Sequence, residues 1–562
     1  MSNALEAASL IMVPSGYENG TLASVKPNDG TGDFTFSRGS NLSATRINEQ
    51  GYIGKGYENL FTYSNDFSNA AWTKFQSSVT NGQSGYDGSN NAWLLTANAS
   101  SNTILIQNKS SSSVVTLSVY AKANTADFMV LRLDRSVNTL AWINLTDGSV
   151  GNQAGTPISI DTESVGNGWY RCSITAADTI GAYIYICDAN GSVNVTNGSS
   201  IYIQDAMLNQ GLVAYPYIET TTAPVAGNIL EDMPRLDWAS GSPSLLLEPS
   251  RTNLLTHSEY YNGWTQSGTT LTTNTTETLS PEGLYNASKL VGNGTTGVIN
   301  SGIAKTGSVV VSVYLKSVSG SVNVIFKDPY GVLANEVKSV TTEWQRFDFI
   351  GDNGASFAGF WIDDIPASGI YMWGAQLEQG LYPTSYIPTY GVSQTRLAES
   401  CVVNGATSSI GQTEGTMFLD FVYEDNGGGL YGSFVANATG FSDFVGWRVL
   451  DYNNAALQVL VRISGTYQVL DTALSVFSVG NRYKVAMKYS SGDIKVFVNN
   501  QEKYSSTATY TTPSVPLSKN TISGSTINAV DSLQQDTISK VNQSILFPTA
   551  LSDEECIQLT TV

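Results

Sequence analysis

The sequence repeats itself, and this limits the fold more than any other feature. "NLFTYS" at 59–64 returns as "NLLTHS" at 253–258, and "LSVYAK" at 117–122 returns as "VSVYLK" at 311–316. Both offsets are 194 positions (59 against 253). "IYIQDAMLNQG" at 201–211 returns as "IYMWGAQLEQG" at 370–380, an offset of 169 (201 against 370). The first copy therefore holds about 25 extra residues around "RSVNTLAWINLTDGSVGNQ", expected as a long loop or an added hairpin. A duplicated stretch of roughly 150 residues is one folding unit used twice.

Within each copy the pattern has period two. In "VVVSVYLK", Val309, Val311, Val313 and Leu315 share one face, and Ser312, Tyr314 and Lys316 share the other. Val115, Leu117, Val119 and Ala121 repeat this in the first copy. One apolar face at period two is a half-buried strand. The short Val/Ile/Tyr/Thr runs between Gly, Asn and Ser clusters predict an all-β chain of tandem antiparallel sandwiches. A third unit starts near Arg396. "NRYKVAMKYSSGDIKVFVNNQEKY" (481–504) reads as a hairpin, and Ser552 with Glu555 reads as the capping box of a short terminal helix. The expected division is an attachment segment or β platform at 1–56, a sandwich at 57–222, a connector at 223–250, a second sandwich at 251–397 and a last domain at 398–562.

Composition narrows the function. Only 13% of residues are charged and the formal net charge is −19. An acidic surface gains nothing from counterion release on a phosphate backbone, so nucleic acid is excluded as an expected partner. No apolar run is long enough for a membrane span, and the N-terminus lacks the basic start of a signal peptide. Cys172, Cys187, Cys401 and Cys556 form no C-x-x-C pair and read as buried thiols.

Two regions resemble known families. "YKVAMKYSSGDIKVFVNN" followed by "ILFPTALSDEECIQLT" resembles the laminin G or concanavalin A-like jelly roll, in versions found at the ends of bacteriophage virion proteins. "ENLFTYSNDFSNAAWTK", "GAQLEQGLYPTSYIPTYG", "PRLDWASGSPSLLLEPSRTNLL" and "GDFTFSRGSNLSATRINEQGYI" resemble carbohydrate-binding-module-like sandwiches of phage tail and fibre proteins. The resemblance implies a virion structural protein, a tail fibre or spike component that binds host-surface glycan. It also implies contact with other virion proteins through the N-terminal region, and a homo-oligomer, with a trimer as the expected form. The alternatives are a capsid or tail decoration protein without a ligand, and a glycan depolymerase. In single-module relatives, segments like 33–52 and 234–255 are adjacent. Their separation here implies that copy one is inserted between them, with the two flanks meeting as a small β platform.

Reactive chemistry is hard to find. The single histidine, His257, matches Tyr63 in the other copy, which argues against a catalytic base. No E-x-D-x-E strand is present, and Asp420 with Glu424 in "DFVYE" is a weak pair. No catalytic residue is assigned. Glycan binding needs an aromatic platform beside hydrogen-bonding groups. Trp72/Trp264 and Trp169/Trp344 recur between the copies and read as core. Trp361, Trp373, Trp447 and Tyr452 are the carbohydrate-binding candidates. Asp363 and Asp364 are the candidates for Ca2+, although two acids do not define a calcium site. No other cofactor is expected.

Overall fold

A computed structural model describes residues 2–18, 21–39, 42–135, 137–229, 233–295, 297–331, 333–352, 354–424, 434–440, 442–450, 455–473, 476–522 and 539–562. The described chain is all-β, as expected. Its α-helices, among the described residues, are Ser2–Ala7 and Asp553–Leu559, the second opened by the Ser552–Glu555 capping box.

Each repeat is a sandwich of two antiparallel sheets. In repeat 1, Val115–Ala123 lies between Trp169–Ala176 and Ser200–Gln210. The facing sheet places Gly181–Cys187 between Phe128–Asp134 and Ile104–Gln107. Repeat 2 matches this order, with Val309–Ser317 between Gln345–Gly351 and Ile370–Gln379, facing Phe357–Asp363. The alternating residues named above point into the two cores. The extra residues of repeat 1 add an edge strand to each sheet, Val150–Ala154 to one and Ser159–Gly166 to the other.

The third sandwich is discontinuous, and this corrects the expected division. Leu10–Glu18 pairs with Thr21–Lys26 and with Ser539–Phe547, in the register Leu10↔Leu546. Thr35–Ser37 pairs with Ser400–Asn404. Arg235–Asp237 pairs with Ser244–Leu247, which itself pairs with Ser539–Phe547. The 1–56 segment is therefore not a separate platform, 223–250 is not only a connector, and 398–562 is not a complete domain. The reason is burial. Leu10, Met12, Leu22, Phe36, Leu245 and Leu247 share one apolar core with Met417, Trp447 and Val496. Without these strands the last domain would expose both core and strand edges. We call this third sandwich the frame.

Both repeats are insertions into the frame, each closed by a two-stranded stem. Tyr57–Asn59 pairs with Val225–Gly227, and Arg251–Asn253 pairs with Gln394–Arg396. A buried asparagine locks each stem in the same way. Asn59 donates to Ala206 O and Ile218 O and accepts from the Phe61 and Leu208 amides. Asn253 donates to Ala375 O and Ile387 O and accepts from the Leu255 and Leu377 amides. The flanks of repeat 1 also meet: the Trp238 amide donates to Ile47 O, and Arg235 Nη1 donates to Thr45 O at 2.7 Å.

Two buried charge clusters fix the modules to one another. Arg235 sits between Glu248 (2.7 Å) and Glu399 (2.5 Å), with Arg38 on Glu399 and Arg396 on Glu248. Burial alone would raise the Glu248 carboxyl, but Arg396 and Arg235 hold it down at about 2. Lys55 reaches Glu259 (2.7 Å) and Glu282 (2.9 Å) of repeat 2, and lies 5.3 Å from the Tyr215 ring centroid of repeat 1. Burial opposes the Lys55 charge, yet the two carboxylates push its pKa well above the ordinary lysine value. Where the repeats touch, a Cβ on Gly391 would lie 2.8 Å from Ser112 O.

Candidate functional site

The outer faces of the sandwiches carry the exposed chemistry. Along Phe357–Asp363 the even positions Ala358, Phe360 and Ile362 enter the core, which turns Trp361 and Asp363 to the other face, Trp361 half-buried and Asp363 buried. Along Val322–Lys327, Val324 and Phe326 enter the core, which leaves Ile325 and Lys327 outside. The register pairs Lys327 with Trp361 and Ile325 with Asp363. The Lys327 ammonium sits 4.6 Å from the Trp361 ring centroid and also pairs with the Asp363 carboxylate. Trp361 is half-buried, and its Nε1 is buried without a hydrogen-bond partner among the described residues. A half-buried indole beside an ammonium can meet the C–H face of a pyranose with its exposed part and bond hydroxyls through Lys327.

Tyr185 holds the Trp361 position in repeat 1, and there the platform is covered. The chain after Cys187 runs over the face, and Trp142 Nε1 donates to Ser192 O at 2.7 Å. Tyr185 is 3% exposed in a small cluster with Ile104, Val130, Trp142 and Cys187. In repeat 2 the next strand begins at Ile370, only seven positions after Asp363, so no such cover forms. The open end of the repeat 1 face carries a different cluster. Arg132 donates to Tyr185 Oη (2.9 Å) and Asp134 (2.6 Å), and Tyr183 Oη donates to Asp134 (3.0 Å).

Of the sequence candidates among the described residues, Trp361 is the one on an outer face. Trp373 is 0% exposed, packed on Tyr386 and Tyr314 at the joint around Lys55. Trp447 is 0% exposed in the frame core beside Phe421 and Phe477. Both are corrected to structural residues, because the strand face each occupies is covered by another layer. Tyr452 lies outside the described residues. Asp363 and Asp364 do not form a cation cage. Asp363 is held by Lys327, Asp364 has φ 57° just past the strand, and no group of three or more His, Cys, Asp or Glu able to hold a metal occurs among the described residues. Asp420 pairs bidentately with Arg482 and Glu424 pairs with Lys540, so the two acids do not act together. The four cysteines are buried and free, and burial pushes the Cys187 thiol up to about 12. Burial likewise lowers the His257 pKa.

Sequence reading missed Lys327, although the alternation in "VNVIFK" already put it on the outer face. It also missed a cleft of about 600 Å3 between the repeats, lined by Ser159–Glu163 and Arg171 on one side and Asn274, Leu279 and Tyr285 on the other.

No family model matches the sequence, and no curated protein matches it. Among solved structures, single modules are similar. The carbohydrate-binding module CBM40 of the Ruminococcus gnavus IT-sialidase, bound to alpha2,3 sialyllactose, is 13% identical over 28% of this chain and 87% of its own, with a TM-score of 0.24. Domain 4 of AbnA, an extracellular arabinanase from Geobacillus stearothermophilus in complex with arabinotriose, is 13% identical over 29% of this chain and 73% of its own, with a TM-score of 0.22. The Caenorhabditis elegans galectin LEC-6 is 14% identical over 26% of this chain and 88% of its own, with a TM-score of 0.19.

Proposed function

We propose that this chain is a non-enzymatic glycan-binding protein that acts through the outer face of repeat 2. The observation that carries the reading is the half-buried Trp361 ring on this face, with the Lys327 ammonium 4.6 Å from its centroid and paired to Asp363. The virion resemblance of the sequence extends it: a tail fibre or spike component, exposed on a released particle and adhering to host-surface glycan. Few reactive groups are needed for that task, and weak single sites gain avidity when copies are assembled.

The test uses the whole chain, because 398–562 alone lacks the strands at 10–18, 21–26 and 35–37. Fluorescent wild type and Trp361→Ala are compared for saturable binding to host cells and to immobilised host glycans. Loss of binding by a variant that remains folded at the assay temperature supports the proposal. Equal binding by both proteins removes Trp361 from the site, and release of reducing sugar from the glycan would refute the non-enzymatic reading.

A further inference from the structure

The cleft between the repeats lies on a face that both copies possess. In each, a strand pair puts Arg, Tyr and Ser on the outer side of a sheet. Arg171 lies 5.5 Å from the Tyr120 ring and bonds Ser118 Oγ and Tyr215 O. Arg346 lies 5.5 Å from the Tyr314 ring and bonds Ser312 Oγ and Thr384 O. In repeat 2 this face is closed. Ile47 and Ile53, from the Thr45–Ile47 and Ile53–Lys55 hairpin, pack with Trp373, Tyr386 and Tyr314, and about 180 Å3 remains. In repeat 1 the residue across from Tyr120 is Gln204, where repeat 2 has Trp373 across from Tyr314. In repeat 1 Tyr86 stacks on Tyr120 (ring centroids 3.7 Å) and its amide donates to Gln204, and the open space of about 600 Å3 lies beside them, along Arg171 and the added edge strand against repeat 2.

The extra residues of repeat 1 build this cleft. Its floor is the added edge strand Ser159–Gly166, which presents Ser159, Asp161 and Glu163 in register with Thr175, Ser173 and Arg171. Repeat 2 supplies the opposite wall with Asn274, Leu279 and Tyr285. Two polar atoms here are buried without a hydrogen-bond partner among the described residues, Arg171 Nε and Asn274 Oδ1. Tyr285 is 51% exposed. A buried polar atom left unpaired is costly. The volume falls within the roughly 300–1,000 Å3 of small-molecule sites.

We infer that this cleft is a second ligand site, and that it takes a short neutral oligosaccharide. The lining alternates hydroxyls, an amide, a guanidinium and carboxylates with Leu212, Leu279 and Leu284, which matches the hydroxyls and C–H faces of a sugar. Two carboxylates face one arginine, so an anionic sugar is disfavoured by on the order of tenfold relative to a neutral one of equal length. Only the ligand class rests on the glycan-binding reading; the cleft shares no residue with the Trp361 face.

The test titrates the whole chain with chitohexaose, cellohexaose and maltohexaose, and with hexagalacturonate as the anionic control. Wild type is compared with Trp361→Ala and with the double variant Glu163→Ala/Tyr285→Ala, whose two side chains are exposed, and circular dichroism confirms that each variant is folded. The inference predicts a neutral hexamer whose binding weakens about tenfold or more in the double variant and persists in Trp361→Ala. Binding lost only in Trp361→Ala overturns the cleft and leaves the proposed function standing. Binding lost only in the double variant sustains the cleft and leaves the Trp361 face to its own test on host glycans. Binding that survives both variants, a preference for hexagalacturonate, or no binding by wild type overturns the cleft.

Discussion

In repeat 2 the Arg346–Tyr314 face is packed against the hairpin at 45–55 and clamped to the frame by buried charge. In repeat 1 the Arg171–Tyr120 face meets its neighbour mainly through neutral hydrogen bonds, such as Asn274 Nδ2 to Leu212 O at 2.7 Å and the Val114 amide to Tyr390 O at 2.6 Å. The backbone and the arginine geometry are the same in both. What differs is the partner: an apolar hairpin with an indole in one case, and in the other Tyr86 stacked on Tyr120 beside Gln204, with a polar loop of repeat 2 along the Arg171 edge. A duplicated docking face thus becomes a sealed joint in one copy and an open cleft in the other, because burial depends on what covers a face as well as on what lies on it.

The comparison breaks most visibly at the frame joint. Arg235→Met leaves Glu248 and Glu399 short of a buried partner and is expected to cost about 3–5 kcal/mol. Arg171→Met, on the open face, is expected to cost about 1 kcal/mol, since it removes one neutral-acceptor contact set beside water. Denaturant midpoints of the two variants test this order, and equal losses would refute the contrast between the joints.

The outer faces should split the same way. Tyr185→Ala empties a covered cluster and is expected to destabilise by about 3–5 kcal/mol with little effect on binding. Trp361→Ala is expected to cost less than half of that while abolishing binding. The two stems should behave alike instead. Asn59→Ala and Asn253→Ala each strip buried backbone groups of partners and should each cost about 1–3 kcal/mol, readable as matched shifts in thermal unfolding.

The smallest effect is in pH. Burial raises the Asp205 carboxyl of repeat 1 to about 6, against the Tyr86 hydroxyl that bonds it. A raised carboxyl favours the folded state below its ordinary value of 3.8, and that contribution is lost as pH rises through about 6. Glu248 has the opposite sign. Held at about 2, it stabilises above its ordinary 4.5, and the contribution is lost as pH falls from 4.5 toward 2. Melting temperature measured from pH 4.5 to 7 should fall through pH 6 in wild type and flatten in Asp205→Asn.

Much of the fold was legible because strands write themselves at short range. Alternation in "VVVSVYLK" named the residues that reach the core, and Ser552 with Glu555 named the last helix. The repeat aligned Tyr185 with Trp361 correctly. It could not say that a loop covers the first and spares the second, because that depends on Trp142 meeting Ser192, 50 residues apart. Trp373 and Trp447 looked like binding residues for the same reason: an unmatched tryptophan in a strand has the same spacing whether its face meets solvent, a second sheet or another module.

The sequence by itself determined an all-β chain, two homologous sandwiches, the presence of about 25 extra residues in the first and an acidic, reagent-poor composition. These follow from period two, from self-similarity and from composition, which are local or additive properties. Only the tertiary structure decided that the chain's first strands complete its last domain, with Leu10 beside Leu546, and that both repeats hang from that frame on stems. Pairing across more than five hundred residues leaves no local spacing to read. It is selected by which apolar faces must be buried together, and that choice also left Trp361 open and the space between the repeats unfilled.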